Sequence, residues 1–184
     1  MYDLSTAEDL KVGGKLIPDG TMVVCKLKVG TEKESSGQNT MHDVELEAKD
    51  AQYAGSKFFD NIMTSGNGKE WGLGKCKHVV EFSDRAFLPE NARFYKINSP
   101  YDLNGKDALV KVKVAVHTNS KGESYHINKV ETYISPRPGS STERFYVAWA
   151  KGEQPWQTDS KPPLPNQHVS KSAGMPLDSE IPFG

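Results

Sequence analysis

The chain has 184 residues, 36% of them hydrophobic, with a mean hydropathy of −0.62; that suits one domain plus a tail, and no apolar run reaches membrane-spanning length. Residues 1–20 carry Asp3, Glu8 and Asp9 where a secretory signal needs a hydrophobic segment, and Cys25 and Cys76 are too few for a disulfide framework or a four-thiolate zinc site, so a soluble cytoplasmic protein with no membrane partner is expected. The formal net charge is −1, with 18 basic and 19 acidic side chains in 1–134 and five of each in 135–184, so an anionic ligand needs a local basic stripe rather than the overall field.

A polar lead over 1–15 holds one short helix at 6–12, which Gly13 and Gly14 end. Pro18-Asp19-Gly20 is a turn signal. Residues 21–29 then alternate, with Val23, Cys25, Leu27 and Val29 facing one way and Met22, Val24, Lys26 and Lys28 the other. That is the period of a half-buried strand. The stretch 30–39 reads as a polar loop. A second strand over 41–49 turns Val44, Leu46 and Ala48 inward and Asp43, Glu45 and Glu47 outward, and a third over 56–64 carries Phe58, Phe59 and Ile62.

Ser65-Gly66-Asn67-Gly68 breaks the third strand, and the period then changes. Trp71, Leu73 or Gly74, Cys76 or Lys77, Val80 and Phe82 fall near three-and-four spacing, which predicts a helix over 71–85 with Gly72 and Gly74 weakening its first turn. Residues 87–107 are irregular, broken by Pro89 and Pro100, with Phe94, Tyr95 and Tyr101 as aromatic anchors. The fourth strand, 108–118, sets Val110, Val112, Val114 and Val116 against Leu109, Lys111, Lys113 and His117. A hairpin loop at 119–122 leads into a fifth strand over 124–134. There Tyr125 and Ile127 differ in parity from Val130 and Ile134, which predicts a bulge near Asn128.

Five strands with one helix between the third and fourth is the element order of an OB-fold, a mainly-β Greek-key barrel. It binds oligonucleotides or oligosaccharides with strands two and three and the loops joining strands one-two and four-five. Single-strand binding needs a cationic groove and exposed aromatic faces. The cationic candidates are Lys26, Lys28, Lys111, Lys113 and Lys129 on strands one, four and five, and Lys33 and Lys121 in the two loops. The stacking candidates are Phe58 or Phe59, Trp71 and Tyr125. Adjacent Phe58 and Phe59 point to opposite faces, so one belongs to the core. Trp71 reads first as a plug at the barrel's end, and any single exposed lysine has an ordinary role in solubility and edge protection.

Catalysis finds little support. His42, His78, His117, His126 and His168 form no helix-spaced metal pair, and Cys76-Lys77-His78 offers two ligands at most. There is no nucleophile elbow, P-loop or two-metal carboxylate cluster. The expectation is a non-enzyme with no catalytic residue, metal or cofactor.

Beyond 134 the prolines of 135–141 and 161–165 predict an extended linker that does not pack. Between them, 143–156 gathers Phe145, Tyr146, Trp149 and Trp156. Disordered segments are aromatic-poor, so this piece is expected to dock on the barrel, on a sister subunit of a homo-oligomer, or on DNA. The stretch 175–184 carries Asp178, Glu180, Ile181, Pro182 and Phe183. Its two prolines bar helix and sheet, and Pro182 pre-orders the backbone for a pocket on a partner protein.

Asp178-Ser179-Glu180-Ile181-Pro182-Phe183 resembles the C-terminal tip of bacterial and phage single-stranded-DNA-binding proteins, where acidic residues lead into Ile-Pro-Phe. Here Ser179 splits the acids, and Gly184 follows the phenylalanine. Pro18-Asp19-Gly20-Thr21, Val44-Glu45-Leu46-Glu47 and the run from Tyr53-Ala54-Gly55 through Phe58-Phe59-Asp60-Asn61 are similar to phage members of that family. So is Leu103-Asn104-Gly105-Lys106 ahead of Val110-Lys111-Val112. The resemblance implies an OB-fold over 1–134 that coats single-stranded DNA during phage replication, recombination or repair in the host cytoplasm. A linker over 135–174 would then carry the tip that recruits replication and recombination proteins. Two other readings stay open: an adaptor that binds a protein partner, which the near-neutral charge favours, and an RNA- or carbohydrate-binding barrel.

Overall fold

The computed structural model describes residues 16–154 and the backbone of His168–Val169. The helix expected at 6–12, Trp156, the proline stretch 161–165 and the tip residues Asp178, Glu180, Ile181, Pro182 and Phe183 lie outside the described residues. The strands are β1 (Met22–Glu34), β2 (Thr40–Ala48), β3 (Lys57–Met63), β4 (Asp107–Thr118), β5 (Ser124–Ile134) and the two-residue β6 (His168–Val169). Helix α1 (Lys69–Ser83) stands between β3 and β4, and α2 (Glu143–Ala150) follows β5. All neighbours pair antiparallel in one open sheet of order β3-β2-β1-β4-β5-β6.

Strand alternation decides the inner face. Val23, Cys25, Leu27 and Val29 join Val44, Leu46, Phe58, Ile62, Val110 and Val112 in one buried cluster, closed by Cys76, Val79 and Val80 of α1. Each fully buried aliphatic side chain contributes roughly 1.5–3 kcal/mol. Helix α1 lies close on β3 because residue 72 is glycine: a Cβ there would sit 1.9 Å from the Met63 carbonyl oxygen. Arg85 follows the helix at φ 53°, a left-handed position that favours glycine, with its guanidinium over the Phe82 and Tyr146 rings.

Several expectations need correction. The loop expected over 30–39 is shorter, because β1 continues to Glu34 and pairs Glu32, Lys33 and Glu34 with His42, Met41 and Thr40. This arm is polar on both faces, so no hydrophobic alternation marked it as strand. The β5 bulge falls at Glu131 rather than near Asn128, since Lys111 pairs Thr132 while Val112 pairs Val130. Val116 is exposed because the β4–β5 hairpin runs beyond the core. Of the three aromatic anchors expected in 87–107, Phe94 packs on the core while Tyr95 and Tyr101 are exposed.

The largest correction concerns 135–141, expected to be unpacked. Ser135 and Pro136 are buried, and the chain goes directly into α2. Phe145, Tyr146 and Trp149 pack on the outer side of the sheet against Met22, Leu109 and Ile134, with Trp149 edge-on to Phe82 at 6.0 Å. Gln154 then bonds both backbone groups of Met22, at 2.9 and 3.1 Å. The aromatic segment therefore docks on its own domain through the described part of 143–156.

Candidate nucleic-acid interface

Helix α2 covers the outer face around Met22, Val24, Leu109 and Ile134, leaving Lys26 and Lys28 of β1 and the outward Asp43, Glu47, Lys57 and Phe59 of β2 and β3 exposed. Register places Lys26 opposite Glu47 and Lys57 beyond it, and Lys28 opposite Glu45 with Phe59 beyond. The acidic row of β2 is neutralised in place: Lys57 bonds Glu45 at 2.9 Å and reaches Glu47 at 3.6 Å, while Lys33 pairs with Asp43. The hydrogen bond and charge of Glu45 raise the Lys57 pKa. Carboxylates that would repel a polyanion are thereby screened at close range.

Of the adjacent phenylalanines, Phe58 is the core residue, 3% exposed, and cannot serve as a stacking platform. Phe59 is 66% exposed beside a depression of about 420 Å³ lined by Lys28, Val29, Gly30, Asp43, Glu45 and Asp60. Trp71 is also 66% exposed, so it is not a plug at the barrel's end. It borders a second depression, about 490 Å³, between β3, α1 and β5. Phe59 and Trp71 are the most exposed large apolar side chains among the described residues, and the two depressions share Asp60. Lys75 holds that carboxylate at 2.8 and 2.9 Å and also donates to the Asn61 carbonyl at 2.6 Å.

The seven candidate lysines divide by partner. Lys33 is taken up by Asp43, and it lies on β1 rather than in a loop. Lys111 bonds Glu131 at 3.0 Å and sits 4.9 Å from the Phe145 ring centre under α2. Among the described residues no carboxylate pairs with Lys26, Lys28, Lys113, Lys121 or Lys129, all of which are exposed. Lys113 and Lys129 are direct cross-strand partners. The structure thus brings Lys26, Lys28 and Phe59 to the outer face and sets Lys113 beside Trp71 at the second depression. Lys121 stands apart at the hairpin tip, and Tyr125 lies edge-on to His117 at 5.3 Å on the same hairpin.

The remaining titratable groups serve the frame. Cys76 is buried, and burial pushes its thiol up to about 11; burial raises Cys25 further. His78 lies at 2.7 Å from the Tyr133 carbonyl through Nδ1, which assigns the donor proton to that nitrogen. Glu81 was not singled out by its sequence context, yet it is fully buried and accepts from Ser135, Tyr95 and Arg137. It stands at neither three nor four residues from Cys76, Val79 or Val80, so helix periodicity gave no signal of its burial, which depends on partners from outside α1. Among the described residues no group of three or more His, Cys, Asp or Glu side chains is gathered to hold a metal, and no helix is long and apolar enough to cross a membrane. No family model matches the chain, and no curated protein matches it.

Proposed function

We propose that the protein binds and coats single-stranded DNA, using its sheet as the partly open barrel of an OB-fold with its seam between β3 and β5. The observation that carries this reading is the placement of Phe59 and Trp71, each two-thirds exposed, on either side of β3 beside lysines that have no described acidic partner. Exposed aromatic faces stack bases, and unpaired lysines contact phosphates. The near-zero net charge is no obstacle, because Lys33 and Lys57 mask the β2 carboxylates locally.

In this reading Lys26, Lys28 and Phe59 hold the strand on the outer face, Lys113 and Lys129 guide it across β4 and β5, and Lys121 and Tyr125 contribute from the hairpin. The tip at Asp178–Phe183 recruits replication or recombination enzymes, and the barrel keeps the bound strand from reannealing. The protein takes no catalytic part.

A fluorescence titration with labelled oligo-dT and a duplex control, from low to physiological salt, tests it. Binding to the single strand alone, weakening as salt rises, is expected. The logarithmic slope is about 0.7 for each phosphate neutralised. Absence of binding at low salt refutes the proposal.

A further inference from the structure

We infer that the depression between β3, α1 and β5 is a subsite for a single unstacked nucleobase, with the Trp71 indole as its platform. The inference rests on the single-strand reading above and adds a place where one base leaves the path over the outer face.

Two glycines of α1 make the case. Glycine inside a helix costs about 1 kcal/mol relative to alanine, so each invites a reason. At Gly72 the reason is the Met63 backbone. At Gly74 a Cβ would meet nothing within 4 Å, so packing gives no reason, yet Gly74 lines the depression. Residues three apart share a helix face. Gly74 therefore leaves open the space next to the Trp71 ring, itself 66% exposed.

The electrostatics suit a base better than a phosphate. Asp60 is neutralised by Lys75 and Glu131 by Lys111, which leaves Glu70 and Lys113 as opposed charges at the rim. The interior offers an indole face and the Thr132 hydroxyl, a surface that is aromatic and polar but nearly neutral. Among the described lining residues, Lys75 is taken up by Asp60 and Lys113 is the one lysine left for a phosphate, with Lys129 as its cross-strand neighbour. That arrangement seats the base inside and the backbone outside.

The experiment uses the full chain and an oligo-dT in which one abasic site is walked along the length. In the native protein one position is expected to weaken binding about five- to 150-fold when abasic, the span of one base–aromatic stack. Trp71→Ala should bring the intact oligonucleotide to the same level and remove the penalty at that position alone. Gly74→Leu fills the site while improving helix propensity, so it should lose the same increment without losing thermal stability. If Trp71→Ala weakens binding equally at every abasic position, or not at all, the subsite is refuted while coating through Phe59 and the lysines stands. If the native protein binds no single strand, both readings fall.

Discussion

Arg137 Nε donates to Glu81 Oε1 at 2.8 Å although no part of Glu81 reaches solvent. The same carboxylate accepts from the Ser135 hydroxyl at 2.5 Å and the Tyr95 hydroxyl at 2.8 Å. One buried anion therefore joins α1, the 3-10 turn Pro89–Tyr95 and the segment leading into α2. Glu81→Ala removes the acceptor from three donors and leaves a cavity, so a loss of about 3 kcal/mol is expected in urea unfolding. A loss below about 1 kcal/mol counts against the network as the tie between these elements.

The same group sets the acid limit of stability. Burial alone would raise the Glu81 pKa, but the bonds from Ser135, Tyr95 and Arg137 outweigh it and hold the value below the ordinary 4.5. A lowered folded value means this contribution is complete above about pH 4.5 and disappears as pH falls through the folded pKa. Tyr95 acts at the other end. Although the ring is exposed, desolvation of its hydroxyl at the buried Glu81, then its bond to Glu81 and that residue's charge, raise it from 10.0 to about 12, so its contribution is complete below pH 10 and lost between 10 and 12. Melting temperatures of native protein and Glu81→Gln across pH are expected to converge on the acid side. Parallel curves would show that Glu81 does not set the acid limb.

Gly72 and Gly74 are expected to respond to alanine with opposite signs. Gly72→Ala drives a methyl into the Met63 backbone, which cannot give way as a side chain can. A loss of about 3 kcal/mol follows from such overpacking. Gly74→Ala meets open space and should gain about 0.5–1 kcal/mol. Denaturation midpoints of the two variants check this, and a destabilised Gly74→Ala would mean the space beside it is not free.

Lys111 and Lys113 are two residues apart on β4 and are expected to differ in kind. Lys111→Ala removes an ion pair with Glu131 and a cation over Phe145. It should lower stability by about 1 kcal/mol through looser docking of α2. Lys113→Ala combined with Lys129→Ala breaks no described ion pair and should leave stability unchanged. Under the DNA-binding reading it reduces the salt slope by about 0.7 for each phosphate that is no longer neutralised. A slope unchanged by the double variant would exclude these lysines from the path.

Alternation made the central sheet legible. The hydrophobic parity of 21–29, 41–49 and 108–118 locates β1, β2 and β4, and the inner face follows from Val23 to Val29 and Val110 to Val112. Parity also limited Phe58 and Phe59 to one exposed ring without saying which. The polar arm 31–34 carried no such signal, because cross-strand pairing with both faces in water demands no apolar residue. Partner choice was equally hidden: nothing local shows that Lys33 meets Asp43 or Lys111 meets Glu131 while Lys113 meets no carboxylate among the described residues. The bond of buried Ser135 goes to a carboxylate more than fifty positions earlier, which no composition rule for proline-rich stretches contains.

Cys25 and Cys76 provide the last test, which is independent of any ligand. Both are buried on the inner face, and thiolate is the reactive form. Burial raises Cys76 from 9.0 to about 11, which lowers its thiolate fraction at pH 8 about a hundredfold. Burial raises Cys25 further still. An aromatic disulfide reagent at pH 8 is therefore expected to leave both thiols unmodified in the native protein and to react with both promptly in urea. Rapid modification of Cys76 alone would mean that α1 lifts from β3 in solution. Because Gly72 holds that contact through the Met63 backbone, the same rate should rise in Gly72→Ala, linking thiol reactivity to the helix–strand distance.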